Sequence, residues 1–375
     1  MMPFTIIRTW IFGLLGIAIV LGAGYLAWDW YRYDRDDEQL WWALGLGALA
    51  FLGRFPLMLL MGFGGGPPPL SRVDAKRIRM ADGTEIHVNV LKRGRGPSVV
   101  LTHGWSLDSS IWGYAQRELP EDCELLAWDL RGLGSSSTSP ANDYSLETMA
   151  GDLLEVTKLA NGRPVVLVGH SIGGMICQTF CRLYPGQLGA PVCGIVLCDT
   201  TFTNPLATAI FAPLWRALQK PLIEPLLHLT VWCSPLVRLM NMQSYWNGTT
   251  HQTTRLTSFA GKQSWGDIDL VSRLSSFANP AVVARGMLAM LRFDEQATLP
   301  RINVPVQVVV GENDRLTRRE ASETIASRVP GAALTVVDPG GHLALLEQQE
   351  IVNQSIGQLV KRATAHHAAG ISRTG

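Results

Sequence analysis

Four consecutive apolar residues, Val165 to Val168, run into Gly169-His170-Ser171-Ile172-Gly173-Gly174, and a helix-like segment from Met175 to Leu183 follows at once. A strand that must reverse into a helix within so few residues can do so in few ways. Small residues at 169 and 173 let the chain turn without Cβ clashes and leave Ser171 at an exposed apex. The helix that begins there brings its N-terminal dipole and free N–H groups beneath any negative charge formed at the serine. Gly-x-Ser-x-Gly recurs by chance, so this reading requires the rest of the chain to supply a base, an acid and a second oxyanion donor.

A chain of 375 residues is long enough for one large α/β domain with additions. The net charge of +1 and the lack of a Lys/Arg strip with interleaved aromatics speak against nucleic acid as a partner. Hydrophobic residues make up 47% and charged ones 17%, an apolar balance whose excess lies near the N-terminus. The six cysteines have neither disulfide-framework nor zinc spacing and read as small core residues.

Trp10 to Trp28 is nineteen residues without a charge. At about 1.5 Å per residue it spans roughly 28 Å, close to a ~30 Å hydrocarbon core. Trp10, Tyr25, Trp28, Trp30 and Tyr31 stand at its ends like an interfacial aromatic belt. A cleaved signal peptide is the competing reading, but a second apolar run begins soon after, at Leu40. That run is interrupted by Arg54 and Pro56 and resumes to Gly66. A helical hairpin is expected, with Arg54 snorkelling or facing protein; a re-entrant or interfacial helix is the alternative. Arg8 before the hairpin and Arg72, Lys76, Arg77 and Arg79 after it favour both ends in the cytoplasm, although Arg32 and Arg35 lie in the connector. A single span would put the remaining domain outside. The expected organisation is therefore a membrane anchor over residues 1–70, with helices near 10–28 and 40–61. An α/β core follows over 71–199 and 300–365, a helical insert over 200–299, and a flexible tail over 366–375. Gly64-Gly65-Gly66-Pro67-Pro68-Pro69 forms the joint after the anchor.

Beyond the joint, strands are expected at 75–80, 85–91, 98–102, 124–128, 165–168, 193–198, 306–310 and 334–337, with Asp82-Gly83 as a hairpin turn between the first two. Helical patterns alternate with the later strands, which implies a mostly parallel sheet with right-handed crossovers. Chemistry in such sheets gathers at the carboxyl ends of the strands. A serine nucleophile needs an imidazole to take its proton and a carboxylate to hold that imidazole in the right tautomer. His342 follows a strand and a Pro339-Gly340-Gly341 loop and is the candidate base; His366 and His367 read as solvated. Asp314, after the run ending at Gly311, is the candidate acid, with Asp199 second and Glu312 and Asp338 behind it. The second oxyanion donor belongs in the loop His103-Gly104-Trp105, so the N–H groups of Trp105 and Ile172 are expected to converge. His103 braces that loop and His170 shapes the elbow.

His103-Gly104-Trp105, Asp129-x-Arg131-Gly132-x-Gly134-x-Ser136, Gly169-His170-Ser171-Ile172-Gly173-Gly174, Gly311-x-x-Asp314 and Gly341-His342 together resemble the α/β-hydrolase superfamily. The likeness is nearest to the branch of bacterial esterases, monoacylglycerol-lipase-like enzymes and cofactor-free haloperoxidase-type perhydrolases. It covers about residues 73–362 and leaves out the N-terminal hydrophobic region. It implies an eight-stranded α/β-hydrolase fold, the order Ser171…Asp314…His342, and acyl transfer with no metal or organic cofactor. Ester hydrolysis is the leading expectation. Thioester hydrolysis, perhydrolysis or carbon–carbon bond hydrolysis on the same triad are the alternatives, and a non-catalytic membrane binding module is a further one. Thr317 departs from the pattern, because relatives often carry proline there. The apolar insert falls where the superfamily carries its cap. Its Trp215, Trp232, Trp246, Trp265, Met240, Met242, Met287 and Met290 either line an acyl pocket or form the cap's own core. An apolar cap beside a membrane anchor points to small lipophilic esters delivered from the bilayer.

Overall fold

In the central strands, side chains alternate between two apolar faces, so each face needs its own cover of helices. The computed structural model describes the backbone of residues 2–33, 36–62 and 64–374, and side chains within 6–369 of these. Its eight strands are β1 (Asp74–Arg79), β2 (Glu85–Lys92), β3 (Ser98–Thr102), β4 (Glu124–Trp128), β5 (Val165–His170), β6 (Val192–Cys198), β7 (Val306–Gly311) and β8 (Ala333–Val337). They form one sheet in the order β1-β2-β4-β3-β5-β6-β7-β8. β2 is antiparallel to both β1 and β4, and every other pairing is parallel. Val100, Leu126, Leu167, Ile195 and Val308 face one core with Met149, Leu153 and Phe180 of the helices Leu146–Thr157 and Ile172–Leu183. Val99, Leu101, Val166, Val168 and Val309 face the other, with Val352 and Ile356 of the C-terminal helix. Each such fully buried side chain contributes about 1.5–3 kcal/mol of transfer free energy. A one-residue slip in any central strand would exchange the two sets.

The C-terminal helix runs Gln349–Thr374 and takes in most of the stretch expected as a tail. Residues 366–374 continue the helix, and His367 Nδ1 donates to the Gly189 carbonyl at 2.9 Å. With an acceptor in reach, the extra turns are tied to the domain rather than released into solvent.

Between β6 and β7 the chain leaves the sheet and forms a cap of helices from Pro205 to Met290. An antiparallel bridge between Thr203 and Asp294 closes the base of this excursion. Of the eight tryptophans and methionines named from the cap sequence, Met287 and Met290 line the catalytic pocket. The others do not. Trp265 stacks on His251 with ring centroids 5.0 Å apart, and Trp232 is 81% exposed.

The N-terminal helix is longer than its uncharged run, Met2–Arg32. Its segment Ile6–Arg32 is the one described helix long and apolar enough on its own to cross a membrane. Arg35 of the connector lies outside the described residues. The second run forms Asp37–Leu52 and Arg54–Met61, bent by 57° at Gly53. The bend brings the Arg54 guanidinium over the cap's Trp246 ring at 4.4 Å and Tyr245 at 4.9 Å, so this charge faces protein. Gly13 lies against Met240, and Gly16 against Gln243, where an added Cβ would stand 1.9 Å from the amide oxygen. The joint is pinned as well: Gly266 N–H donates to the Gly64 carbonyl at 3.1 Å, and Gly65 and Gly66 take φ of +75° and +93° as they pass Ser264–Gly266.

Arg131 secures the loop after β4. It is 1% exposed and meets both carboxylate oxygens of the buried Asp152 at 2.7 Å, with Asp82 at 2.9 Å. Arg131→Met strands the Asp152 charge in an apolar setting, at a cost of about 3–5 kcal/mol. The thermal unfolding midpoint is expected to fall by roughly 10 °C. The double variant Arg131→Met/Asp152→Leu should recover most of it, and equal midpoints for wild type and the single variant would refute this role.

Candidate active site

Ser171 joins β5 to the helix Ile172–Leu183 and holds φ at +55°, a backbone conformation that an L-residue rarely adopts. It is held from both sides. Its N–H donates to the Cys198 carbonyl at 2.9 Å, and its own carbonyl accepts from the Thr200 hydroxyl at 2.6 Å. The turn is tight enough to exclude side chains around it. A Cβ on Gly169 would lie 2.3 Å from the Gly173 carbonyl oxygen, and one on Gly173 would lie 2.5 Å from that of Thr102.

His342 stands in the loop after β8. Its Nε2 is 3.0 Å from Ser171 Oγ and its Nδ1 is 2.8 Å from Asp314 Oδ2. With Nδ1–H donating to the carboxylate, Nε2 is left to accept the serine proton, a tautomer assigned from these partners. Asp314 also accepts from the N–H groups of Leu316 (2.7 Å) and Thr317 (3.0 Å) and from the Thr317 hydroxyl (2.8 Å). Burial works to raise the Asp314 carboxyl, but the facing His342 and these donors hold it below the usual carboxylate range. The other acids are occupied or remote. Asp199 Oδ1 accepts from Gly311 N–H at 2.8 Å, and burial followed by the charge on Asp314 pushes its carboxyl well up. Glu312 pairs with Arg319 at 2.6 Å, and Asp338 is exposed.

The two backbone donors expected for an oxyanion are those of Ile172 and Trp105. Ile172 is the first residue of its helix, so its N–H has no acceptor within it. Among the described residues, no acceptor lies within hydrogen-bond distance of the Trp105 N–H. His103 Nε2 accepts from Leu130 N–H at 2.9 Å and Nδ1 donates to the Gly104 carbonyl at 2.8 Å, while burial lowers its pKa. That neutral ring ties the Trp105 loop to the loop after β4. His170 is fully buried, which depresses it to about 3, and its Nε2 donates to the His342 carbonyl at 2.8 Å. A Cβ on Gly104 would sit 2.7 Å from His170 Nδ1. Among the described residues, no group of three or more His, Cys, Asp or Glu is placed to hold a metal.

Residues 99–354, more than half of the chain, match the alpha/beta hydrolase family. The chain belongs to this family. A pimeloyl-[acyl-carrier protein] methyl ester esterase of Methylococcus capsulatus is 26% identical over 277 residues, which cover 71% of this hydrolase and 96% of that relative. A monoacylglycerol lipase of Rattus norvegicus is 24% identical, covering 68% and 72% respectively. Among solved structures, a thermophilic esterase from Thermogutta terrifontis superposes with a TM-score of 0.62 at 25% identity, covering 78% of this chain and all of that one.

Three features of the site escape a reading of the sequence. Thr317 holds Asp314 through both its N–H and its hydroxyl, which a proline could not do; the Asp-x-x-Thr spacing is the available signal. Glu347 accepts from the N–H groups of Gly341 (2.9 Å), Ala260 (2.8 Å) and Lys262 (2.8 Å), clamping the His342 loop to the cap, and nothing local announces it. Gly286 lets the cap helix Pro280–Met290 lie against the Trp105 ring, whose Nε1 donates to the Val283 carbonyl at 2.9 Å. Removing the hydroxyl with Thr317→Val is expected to lower kcat/KM for a short ester roughly tenfold, with Thr317→Ser close to wild type. Steady-state kinetics on the three proteins decide it, and wild-type values for the valine variant would mean that the hydroxyl is idle.

Proposed function

We propose that this hydrolase cleaves carboxylic esters of lipophilic substrates by two-step acyl transfer at a membrane surface. The observation that carries the reading is the unbroken path Ser171–His342–Asp314, with contacts of 3.0 and 2.8 Å. It opens into an apolar pocket lined by Trp105, Leu107, Met175, Met287, Met290 and Leu316. Ser171 Oγ attacks the ester carbonyl as His342 Nε2 takes its proton. The carbonyl oxygen, now an oxyanion, accepts from the Trp105 and Ile172 N–H groups, each such donor being worth about 3 kcal/mol in the transition state. His342 returns the proton to the departing alcohol. It then removes one from water, whose oxygen attacks the acyl-enzyme, releasing the acid and restoring Ser171. Asp314 holds His342 in the required tautomer throughout.

The apolar lining favours hydrocarbon acyl groups. The exposed apolar faces of Ile6–Arg32 and Asp37–Leu52, including Leu21, Trp28, Trp41 and Leu44, favour a bilayer as their solvent. The two helices join through a short connector, so a crossing hairpin returns the chain to the side from which it started. The basic flanks favour the cytoplasmic side for the catalytic domain.

A fluorophosphonate probe is expected to label the wild-type protein in membrane fractions and not Ser171→Ala. That variant should lose at least about a thousandfold in ester hydrolysis. Esters of graded chain length should show an optimum beyond acetate. Equal labelling of the two proteins would overturn the nucleophile. In sealed right-side-out vesicles a C-terminal tag should resist protease, and its digestion would overturn the hairpin topology.

A further inference from the structure

A second, smaller cavity adjoins the catalytic pocket, and Ser106 and Met287 line both. One wall is the N-terminal helix, which contributes Ile6, Arg8 and Thr9; cap residues such as Thr230 and Asn241 form another. Among the described residues no carboxylate lines it. Arg8 is 7% exposed, and among the described residues its guanidinium Nε has no hydrogen-bond partner. Among the described residues no acid lies within ion-pair distance of it. An isolated buried cation costs several kcal/mol, and an anion entering the cavity would offset that cost. The neighbouring contacts fix how Arg8 is presented. Thr9 Oγ1 donates to Asn241 Oδ1 at 3.3 Å, and Trp10 Nε1 donates to Thr230 Oγ1 at 3.0 Å. With Asn241 accepting through Oδ1, its Nδ2 is left as a donor on a residue that lines the same cavity as Arg8.

We propose that this cavity is a subsite for an anionic oxygen group, carboxylate or phosphate, at the far end of the ester substrate, with Arg8 as its binding residue. The inference rests on Ser171 being the nucleophile of the adjoining pocket. Met287, unbranched and with three rotatable bonds, stands between the two compartments and lets a hydrocarbon linker pass when it swings. The N-terminal helix is thus part of the specificity site as well as a candidate anchor. The substrate class is an amphiphile with its ester at Ser171 and its charge at Arg8.

The test uses full-length protein in a non-ionic detergent. Linear dicarboxylates of six to twelve carbons are compared with monocarboxylates of equal length as inhibitors of 4-nitrophenyl butyrate hydrolysis. At the best length the dicarboxylate should bind about tenfold tighter or more. Arg8→Gln should erase that ratio and Arg8→Lys should keep part of it. Lysophosphatidic acid against monoacylglycerol of the same acyl chain forms the phosphate arm; a preference there that Arg8→Gln removes assigns the charge to phosphate instead. Because each ratio is taken within one protein, a general loss of activity does not imitate the effect. Thermal shifts of Ser171→Ala with the same acid pairs read the subsite without turnover. A larger shift with dicarboxylate in Ser171→Ala, together with a wild type that hydrolyses none of the esters, would sink the esterase reading and leave the subsite standing. Turnover of neutral esters with no preference for either anionic series, in wild type, would overturn the subsite. Should Arg8→Gln fail to fold, the wild-type ratios alone still decide between these outcomes.

Discussion

The backbone of Ser171 is the constraint on which the rest of the site depends. A residue held at positive φ without being glycine costs on the order of 1–3 kcal/mol and persists only where its surroundings leave no alternative. Here the surroundings are the parallel ladder and its loops. Cys198 and Thr200 grip the peptide groups of Ser171 from the neighbouring strand end, and Thr102 closes the space beneath Gly173. The strain therefore draws on the stability of β3, β5 and β6 together. What it secures is a hydroxyl above a helix start, 3.0 Å from His342 Nε2. A relaxed turn would point the same side chain into the core.

His342 is placed by different means. Its loop has no regular ladder to hold it, so its position is set by side-chain and backbone hydrogen bonds drawn from three directions. Asp314 and Thr317 fix one edge of the ring. His170 donates to its carbonyl from beneath. Glu347 links Gly341 to Ala260 and Lys262, and Leu343 N–H donates to the Ser258 carbonyl at 3.1 Å. The last two contacts belong to the cap's course, so the cap and the His342 loop form one mechanical unit. Trp105 extends that unit to its own loop through Val283 and the space left by Gly286. A rigid-body displacement of the cap would thus disturb the His342 and Trp105 loops at once.

What was legible in the sequence follows the range of the interactions involved. The strands were legible because burial on both faces forces apolar, β-branched runs, and Ser171, Asp314 and His342 because each stands just past such a run. Local pattern carries that information. Thr317 was visible as a departure, but its function depends on where a carboxylate three residues earlier points, which spacing alone leaves open. Glu347, Arg54 and the glycines at 13 and 16 act across the chain. Their meaning comes from partners roughly 80 to 230 residues distant in sequence, and no periodicity encodes such a pairing.

The N-terminal helix shows the same division along its own length. A helix that serves only as a tether would need apolar surface and no particular register against the domain it carries. This one spends Thr9 and Trp10 on hydrogen bonds to the cap and brings glycines to Met240 and Gln243, so its first turns dock in one register. Beyond Gly16, Leu21, Tyr25, Trp28 and Tyr31 are exposed. The docked part fixes the orientation of the exposed part, and with it the distance from an apolar surface to the catalytic pocket. Trp232, Leu236 and Leu239, exposed on the cap segments next to the docking site, extend that apolar surface onto the cap itself. On the proposed reading, a lipophilic substrate leaving such a surface would meet the cap first and pass, on its way to Ser171, the wall that holds Arg8.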